Sequence, residues 1–249
     1  MHLPGVGPQT ERRFWASGIG DWDSALSSRP PSGISPRRWD ELRDLIEESY
    51  RRLQRRHYRY FAERLTPGYH WRAWPEFSDA AAYLDIETTG AGPGAQVTLV
   101  GIYDGVRVHQ FLAGENLEDL PEFLERFAVL VTFNGSAFDL PFLKRRFRRL
   151  QLNQLHFDVR FGLQRLGIHG GLKKIEARLG VAREEDIAGL SGEDAVRLWG
   201  EYQAGDERAL DLLLRYNAAD VVNLETLADY AYRRLWRECQ ERAGSLRRR

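Results

Sequence analysis

Apolar residues in the first 65 positions recur at the spacing of helices. Between positions 36 and 65 the apolar residues at helical spacing are Leu42, Leu45, Ile46, Tyr50, Leu53 and Tyr60. This spacing predicts one long helix that runs from Pro36 or Trp39 to Leu65. Upstream, residues 5–28 predict two short helices that are separated near Gly18.

After position 80 the apolar residues come in short runs that are typical of strands. Strands are predicted at residues 81–87, 95–104, 106–113, 128–134 and 155–160. Helices are predicted at residues 117–127, 136–150, 169–180, 192–205 and 206–239. Three consecutive strands joined by short turns, followed by strands linked through helices, predict an α/β fold with a mixed sheet of five or six strands and helices on both faces.

This change of pattern divides the chain. We predict an N-terminal helical extension over residues 1–78, an α/β domain over residues 79–235, and the end of the last helix with a basic tail over residues 236–249. The aromatic stretch at residues 66–79 is interpreted as a linker between the first two. Residues 3–19 resemble half of a helix-hairpin-helix element, so the extension is either a DNA-binding element or a small helical cap packed on the second domain.

Composition narrows the possible environments of the protein. The chain has 249 residues, of which 43% are hydrophobic, and this is ample for a sizeable core. Its single cysteine, Cys239, cannot form an internal disulfide, which fits a reducing cytosol. The N-terminus lacks the pattern of a signal peptide and no run approaches the length of a membrane span. We therefore expect a cytoplasmic protein without membrane contact.

Carboxylates occupy unusual places in this pattern. Asp85 and Glu87 lie two positions apart in the first predicted strand, so alternation puts both side chains on one face of the sheet. Asp139 and Asp220 are likewise surrounded by apolar residues. Tyr216 precedes Asp220 by one helical turn, so the two share a helix face. Acids in such surroundings are typical of a cleft between packed elements.

If the four acids converge, they require compensation. At about 5 Å and an effective dielectric constant of about 20, each pair of carboxylates repels by about 3 kcal/mol. Summed over all pairs this is roughly 20 kcal/mol as an upper figure, against a typical domain stability of about 5–15 kcal/mol. Protons or bound cations must therefore offset the repulsion, and oxygen ligands alone favour Mg²⁺ or Mn²⁺ over zinc.

The motifs YLDIETTG, TFNGSAFDLPFL and YNAAD, in this order, resemble the three exonuclease motifs of the DEDD superfamily. The tyrosine before the last aspartate resembles the DEDDy subgroup, which includes the proofreading domains of family B DNA polymerases. The whole layout is most similar to the YprB-type ribonuclease-H-like proteins. The resemblance covers about residues 80–232, and it implies a ribonuclease-H-like fold and the removal of nucleotides from 3′ ends.

The resemblance also implies a role for each of the four acids in these motifs and for the tyrosine. Asp85 is expected to bridge two divalent ions, Glu87 and Asp220 to complete the first ion site, and Asp139 to hold the second ion. Tyr216 is expected to orient the attacking water, because its ordinary pKa of about 10 makes it a poor base.

Contacts with the substrate are expected at four further positions. The turn that begins at Thr88 is expected to approach the terminal nucleotide, and Asn134 and Phe138 the penultimate sugar. Lys173 is expected either to contact phosphate or to begin a solvated helix. Asp158 is either a structural hydrogen-bond acceptor or part of the site.

Each acid also has a plain structural interpretation. Asp85 and Glu87 fit a strand-end turn, Asp139 fits a charge at the start of its helix, and Asp220 fits an ion pair with an arginine. An intact fold with a retired site is a further alternative, although no motif acid is missing. His156 and His169 lack companion ligands at metal spacing and are interpreted as ordinary residues.

Basic residues cluster at two places although the formal net charge is zero. The cluster at residues 51–59 has glutamates one helical turn upstream, which favours a solvated helix face. The cluster at residues 144–149 has few acids nearby in the sequence, so nucleic-acid backbone contact and a solvated face both remain open.

These observations predict a two-metal-ion 3′→5′ exonuclease that acts on the ends of single-stranded DNA or RNA. The alternatives are a structure-specific endonuclease that uses the same acids, and a non-catalytic nucleic-acid-binding protein that retains a relict site.

Overall fold

The computed structural model describes the backbone of residues 1–247 and the side chains of residues 1–242. One mixed sheet of five strands, in the order β3-β2-β1-β4-β5, organises the second part of the chain. The strands are β1 Ala81–Thr88, β2 Val97–Tyr103, β3 Val108–Leu112, β4 Val129–Thr132 and β5 Leu155–Asp158. Strand β2 is antiparallel to β1 and β3, whereas β4 is parallel to β1 and β5 is parallel to β4. The predicted α/β class and the mixed sheet are confirmed.

Helices cover both faces of this sheet, and several further helices precede its first strand in the sequence. They are α1 Pro8–Ala16, α2 Trp22–Ser27, α3 Pro36–Gln54, α4 Tyr58–Arg64, α5 Trp74–Phe77, α6 Leu120–Leu124, α7 Asp139–Arg146, α8 Val159–Arg165, α9 Leu172–Leu179, α10 Glu185–Ala188, α11 Gly192–Gln203 and α12 Glu207–Arg247. Short 3₁₀ turns lie at Pro67–Ala73, Ser78–Ala80 and Leu117–Asp119. Among the described residues, no helix combines the length and the apolar character that crossing a membrane requires.

Alternation along β1 divides its side chains between two cores. Leu84 and Ile86 pack in a cluster with α6 and α7, whereas Ala81 and Tyr83 pack in a cluster with α8 and α12. Both faces of β1 are therefore covered, as is typical of a strand with a parallel neighbour. Asp85 lies on the same face of β1 as Tyr83. Its side chain lines a cavity towards the C-terminal end of the strand.

The predicted long N-terminal helix is broken into α3 and α4. Arg56 at the break has a left-handed φ of 55°. Its guanidinium donates to the carbonyl oxygen of Glu76 at 2.7 Å and to Asp79 at 2.5 Å. After the break, Tyr60 and Phe61 of α4 belong to the same buried cluster as residues of the sheet. Helical periodicity alone could not show this, because both pieces keep helical spacing.

The aromatic stretch predicted as a linker is instead part of the core. Its residues form 3₁₀ and α-helical turns, and Trp71, Trp74 and Phe77 are 4%, 4% and 1% exposed. Trp74 lies edge-on to Phe157 of β5, with ring centroids 5.7 Å apart. The linker interpretation was wrong, because short 3₁₀ turns do not produce the apolar period of an α-helix.

The helical extension packs on the rest of the chain. Helix α1 contacts α12, and Glu11 of α1 pairs with Arg72 at 2.5 Å. Helix α12 also continues through most of the predicted tail, whose last two residues, 248–249, lie outside the described residues. The predicted strand over residues 155–160 ends at Asp158, where α8 begins.

Candidate active site

Three carboxylates from two elements meet at one end of the sheet. Asp85 and Glu87 come from β1, and Asp220 comes from α12. One oxygen from each side chain lies within 4.8 Å of the others. Although Asp220 is far from Asp85 in the sequence, the packing of α12 across β1 brings them together. We refer to these three residues as the acid cluster.

A cavity of about 680 Å³ opens over the acid cluster. Asp139, the first residue of α7, lines this cavity and is 3% exposed, but it does not belong to the group of oxygens within 4.8 Å. The cavity wall also includes Thr88, Asn134, Phe138, Ser191, Gly192, Glu193, Val196 and Tyr216. All four predicted acids therefore face the same space.

Asn217 connects α12 to the strand that carries the first acid. Its Nδ2 donates to Oδ2 of Asp85 at 3.2 Å, and its side chain is fully buried. The approach depends on Gly101, the residue of β2 that pairs with Asp85, since a Cβ there would lie 2.0 Å from Oδ1 of Asn217. The sequence reasoning missed Asn217, although its place directly after Tyr216 was a usable signal.

Burial is the largest cause that raises the pKa of the four predicted acids, Asp85, Glu87, Asp139 and Asp220. Burial is the largest cause for Glu87, whose pKa is raised to about 8, with repulsion from Asp220 next. Burial likewise raises the pKa of Asp139 to about 7. The pKa of Asp85 is raised well above its ordinary value by burial and by the charges of Asp220 and Glu87. Ionisation of all four carboxylates therefore requires more positive charge than the protein itself supplies at the cavity.

Two basic residues, one from α9 and one from the loop after it, contact residues of the site on α12. Lys173 donates from Nζ to the hydroxyl of Tyr216 at 3.1 Å. Arg183 donates from Nη2 to Oδ1 of Asp220 and is also paired with Glu176. The ion pair of Asp220 with an arginine, considered above as an alternative to a functional role, is thus present together with the acid cluster. The sequence did not indicate Arg183 and Glu176, because both stand among charged residues that are typical of an exposed surface.

Tyr216 presents its hydroxyl to the cavity in the protonated form. Burial, followed by the negative charge of Asp220, raises the pKa of this phenol far above its ordinary value. The ring is 6% exposed and packs in the cluster that includes Leu99 and Leu213. The hydroxyl is therefore a hydrogen-bond donor at any ordinary pH.

The loop after β4 is held by Asp158. Its carboxylate accepts hydrogen bonds from the backbone N–H of Asn134 at 2.8 Å and of Ser136 at 3.0 Å. Asn134 has a left-handed φ of 69°, and Arg160 donates to its side-chain oxygen at 2.6 Å. Asp158 is thus a structural hydrogen-bond acceptor.

The other predicted substrate residues differ in position. Thr88 lines the cavity, but its hydroxyl donates to the carbonyl oxygen of Gly90 at 2.7 Å and so closes the turn. Phe138 lines the cavity and packs against Phe142, with ring centroids 4.7 Å apart. Lys173 points to Tyr216 and is not among the residues that line the cavity.

His156, one of the two histidines interpreted as ordinary residues, has a hydrogen-bond partner in the sheet. His156 shares a hydrogen bond of 2.9 Å between its Nε2 and Oγ1 of Thr132. Within the described part of the chain, the potential metal-ligating group contains neither His156 nor His169.

The donor atoms of the acid cluster fit a hard divalent cation. Every ligand atom is a carboxylate oxygen, which suits Mg²⁺ or Mn²⁺ and does not suit a soft metal. Oε1 of Glu87 is buried and has no hydrogen-bond partner. A buried carboxylate oxygen without a partner is costly, and a cation bound at this place would satisfy it.

Comparisons with known proteins agree with this architecture. The family model of the RNase_H superfamily matches residues 82–232. The protein YprB of Bacillus subtilis (strain 168) is 35% identical over 170 residues, which are 58% of this chain and 40% of that protein. This chain therefore spans well under two thirds of the length of that relative.

A solved structure shares the fold. The family B DNA polymerase from the hyperthermophilic archaeon Pyrobaculum calidifontis superposes with a TM-score of 0.51 at 17% identity. The match covers 60% of this chain and 24% of the polymerase chain.

Proposed function

Since this chain belongs to the RNase_H superfamily, we propose that it is a metal-dependent nuclease that removes nucleotides from the 3′ ends of single-stranded DNA or RNA. The ribonuclease-H-like fold and the similarity to YprB agree with the resemblance found in the sequence. The assignment to the DEDDy subgroup and the direction of cleavage are part of the proposal.

The convergence of the acids is the observation that carries the proposal. Asp85, Glu87 and Asp220 place oxygens within 4.8 Å of one another at the floor of the cavity, and Asp139 faces the same cavity. A surface cluster of acids would be solvated, but Glu87, Asp139 and Asp220 are buried and Asp85 is partly buried. The pKa values of all four are raised. A retired site would have no reason to keep this costly arrangement.

The acids would hold two divalent ions. Asp85, Glu87 and Asp220 would hold the first ion, and Asp85 and Asp139 would hold the second. When bound, such ions lower the pKa of a water molecule and stabilise the charge that develops on the phosphate.

The remaining residues of the site orient the substrate and the water. Tyr216 donates a hydrogen bond from its protonated hydroxyl, so it orients the attacking water and does not remove its proton. Lys173 fixes the direction of that hydroxyl through its 3.1 Å contact. Phe138 offers an aromatic edge to the penultimate sugar, and Asn134 offers its side-chain amide to the same sugar.

Digestion of end-labelled strands tests this function. Matched DNA and RNA oligonucleotides carrying a 5′ label are incubated with the protein and Mg²⁺ or Mn²⁺. A ladder of progressively shorter labelled products is expected from the wild type, and none from Asp85→Asn or Asp220→Asn. A single internal cut would indicate the endonuclease, and binding without any cleavage would indicate a nucleic-acid-binding protein with a relict site.

A further inference from the structure

A buried ion-pair network joins the segment after α9 to the acid cluster. Arg183 donates from Nε to Oε2 of Glu176 and from Nη2 to Oε1 of the same residue, both at 2.7 Å. The same Nη2 also contacts Oδ1 of Asp220. The side chains of Arg183, Glu176 and Asp220 are 4%, 2% and 7% exposed, so water does not screen these contacts appreciably.

Helix α12 supplies both ends of this network. Asn223, three residues after Asp220, donates from Nδ2 to Oε1 of Glu176 at 3.0 Å. The contacts therefore form a closed path from α12 through Asn223, Glu176 and Arg183 back to Asp220. Because Glu176 accepts two hydrogen bonds from one edge of the guanidinium, Nε and Nη2, the place of Arg183 is set independently of Asp220.

Two physical effects of Arg183 on a bound cation oppose each other. Its positive charge repels a cation at Asp220 and competes for the carboxylate. Its fixed hydrogen bond, however, holds Asp220 in one orientation, as partners behind a metal ligand commonly do. Glu176 determines which effect dominates. The Arg183–Glu176 pair carries no net charge, so the repulsion between Arg183 and a bound cation is largely cancelled and the orientation of Asp220 remains.

We propose that Arg183 is a positioning residue that orients the carboxylate of Asp220 for a divalent cation, with Glu176 as its anchor. This inference rests on the metal site of the proposed function and adds two residues that touch neither the cation nor the substrate. One oxygen of Asp220 receives the guanidinium, and the carboxylate keeps its other oxygen for the cavity. Arg183 thereby strengthens cation binding despite its charge.

Calorimetric titration with Mn²⁺, without nucleic acid, tests the proposal. The proteins are the wild type, Arg183→Lys and Arg183→Gln. Lysine keeps the charge but loses the bidentate contact with Glu176, whereas glutamine loses both. If orientation dominates, both variants bind Mn²⁺ more weakly, by about 10- to 100-fold. If Arg183→Gln binds Mn²⁺ as tightly as the wild type or more tightly, the proposal is overturned.

Arg215→Gln is the matched control. Arg215 on α12 also contacts several acids, namely Asp211 and Glu184 at 3.1 and 3.2 Å and Asp186 at 2.5 Å, but none of them belongs to the acid cluster. The control changes the net charge of the protein by the same amount. Its Mn²⁺ affinity is expected to match the wild type.

A second variant tests the proposal in case Arg183→Gln does not fold. Arg183→Gln leaves Glu176 buried without its partner, which destabilises the fold. The double variant Glu176→Gln/Arg183→Gln removes the unpaired charge of Glu176 and changes Asp220 in the same way as the single variant, so it is expected to show the same loss of Mn²⁺ affinity while its circular dichroism spectrum matches the wild type. Wild-type Mn²⁺ affinity in this folded double variant would overturn the proposal.

The outcome is separable from that of the proposed function. If the wild type binds Mn²⁺ and cleaves no strand while the Arg183 variants bind weakly, the nuclease proposal fails and the positioning role stands. If the wild type cleaves strands and the variants bind Mn²⁺ normally, only the positioning role fails. A wild type that does not bind Mn²⁺ contradicts the positioning role directly.

Discussion

Asn217 on α12 donates a hydrogen bond of 3.2 Å to Asp85 on β1, and it does so over a glycine. This contact ties the helix that carries Tyr216 and Asp220 to the strand that carries Asp85 and Glu87. The distance between the two halves of the acid cluster therefore depends on how closely α12 approaches the sheet. Substitutions in this contact should affect the site without changing any acid.

Gly101→Ala should separate the two halves of the cluster. The added Cβ would lie 2.0 Å from Oδ1 and 2.9 Å from Cγ of Asn217, so the helix or the side chain must move. We expect the free energy of unfolding to fall by about 1–3 kcal/mol, as for overpacking in a core. Urea denaturation measures this loss, and Mn²⁺ affinity should fall with it.

Gly92→Ala serves as the control for this substitution. Gly92 lies in an exposed loop, and a Cβ there would meet no atom within 4 Å. Equal stability of the two alanine variants would show that α12 does not depend on the close approach at Gly101.

The metal-free protein should lose stability as the pH rises. The pKa of Glu87 is raised from 4.5 to about 8 and that of Asp139 from 3.8 to about 7 in the folded state. Between the unfolded and folded values the folded state binds more protons, so the free energy of unfolding falls with increasing pH. This contribution is fully present below about pH 4 and is lost above about pH 8.

Thermal unfolding in EDTA between pH 5 and pH 9 measures the effect. The difference in melting temperature between Glu87→Gln and the wild type should grow in favour of the variant as the pH rises. Addition of Mg²⁺ or Mn²⁺ should stabilise the wild type at high pH and should stabilise the variant less. A difference that does not change with pH would contradict the raised pKa of Glu87.

Tyr216→Phe should slow cleavage without loss of the metal. The ring stays packed, but the hydroxyl and its hydrogen bond with Lys173 are removed. An orienting hydrogen bond of about 1.5–3 kcal/mol corresponds to a decrease of roughly 10- to 100-fold in rate. Single-turnover digestion at saturating Mn²⁺ gives this rate. A complete loss, as expected for Asp85→Asn, would assign the tyrosine a larger role than orientation.

The basic segment after the start of α7 should contribute to nucleic-acid affinity. Arg145, Arg148 and Arg149 are exposed, and the ion pair found for this segment within the described residues joins Arg146 to Glu118. In Arg145→Gln/Arg148→Gln/Arg149→Gln, single-strand binding should weaken and depend less on salt. Each lost phosphate contact lowers the slope of log affinity against log salt by roughly 0.7.

Three exposed arginines of α12 provide the comparison for charge alone. Arg233→Gln/Arg234→Gln/Arg237→Gln removes the same charge from another surface. Filter binding at several salt concentrations should separate the two triple variants. If both lose affinity equally, the segment at α7 is a solvated face with no particular role.

The four acids could be singled out in the sequence, because the patterns that distinguish them are local. The alternation of the first strand distinguishes Asp85 and Glu87, and apolar neighbours in the sequence distinguish Asp139 and Asp220. The structure places all four on one cavity. The first core strand and the mixed sheet were predictable for the same reason, since alternation and short apolar runs are properties of neighbouring residues.

The rest depends on contacts between distant segments. Arg183 stands beside three acids in the sequence and resembles a surface charge, yet it is 4% exposed because Glu176 and Asp220 enclose it. Trp71 and Trp74 lie in turns without helical periodicity, so their burial against the sheet could not be predicted. None of these three positions carries a local pattern that distinguishes a core or site residue from a loop residue.

Anomalous diffraction from crystals soaked in Mn²⁺ tests the central claim most directly. We expect a manganese peak in contact with carboxylate oxygens of Asp85, Glu87 and Asp220, and a second peak between Asp85 and Asp139. Crystals of Asp85→Asn should lack both peaks. Wild-type crystals that show no manganese at these carboxylates, or show it only elsewhere on the molecule, would contradict the claim.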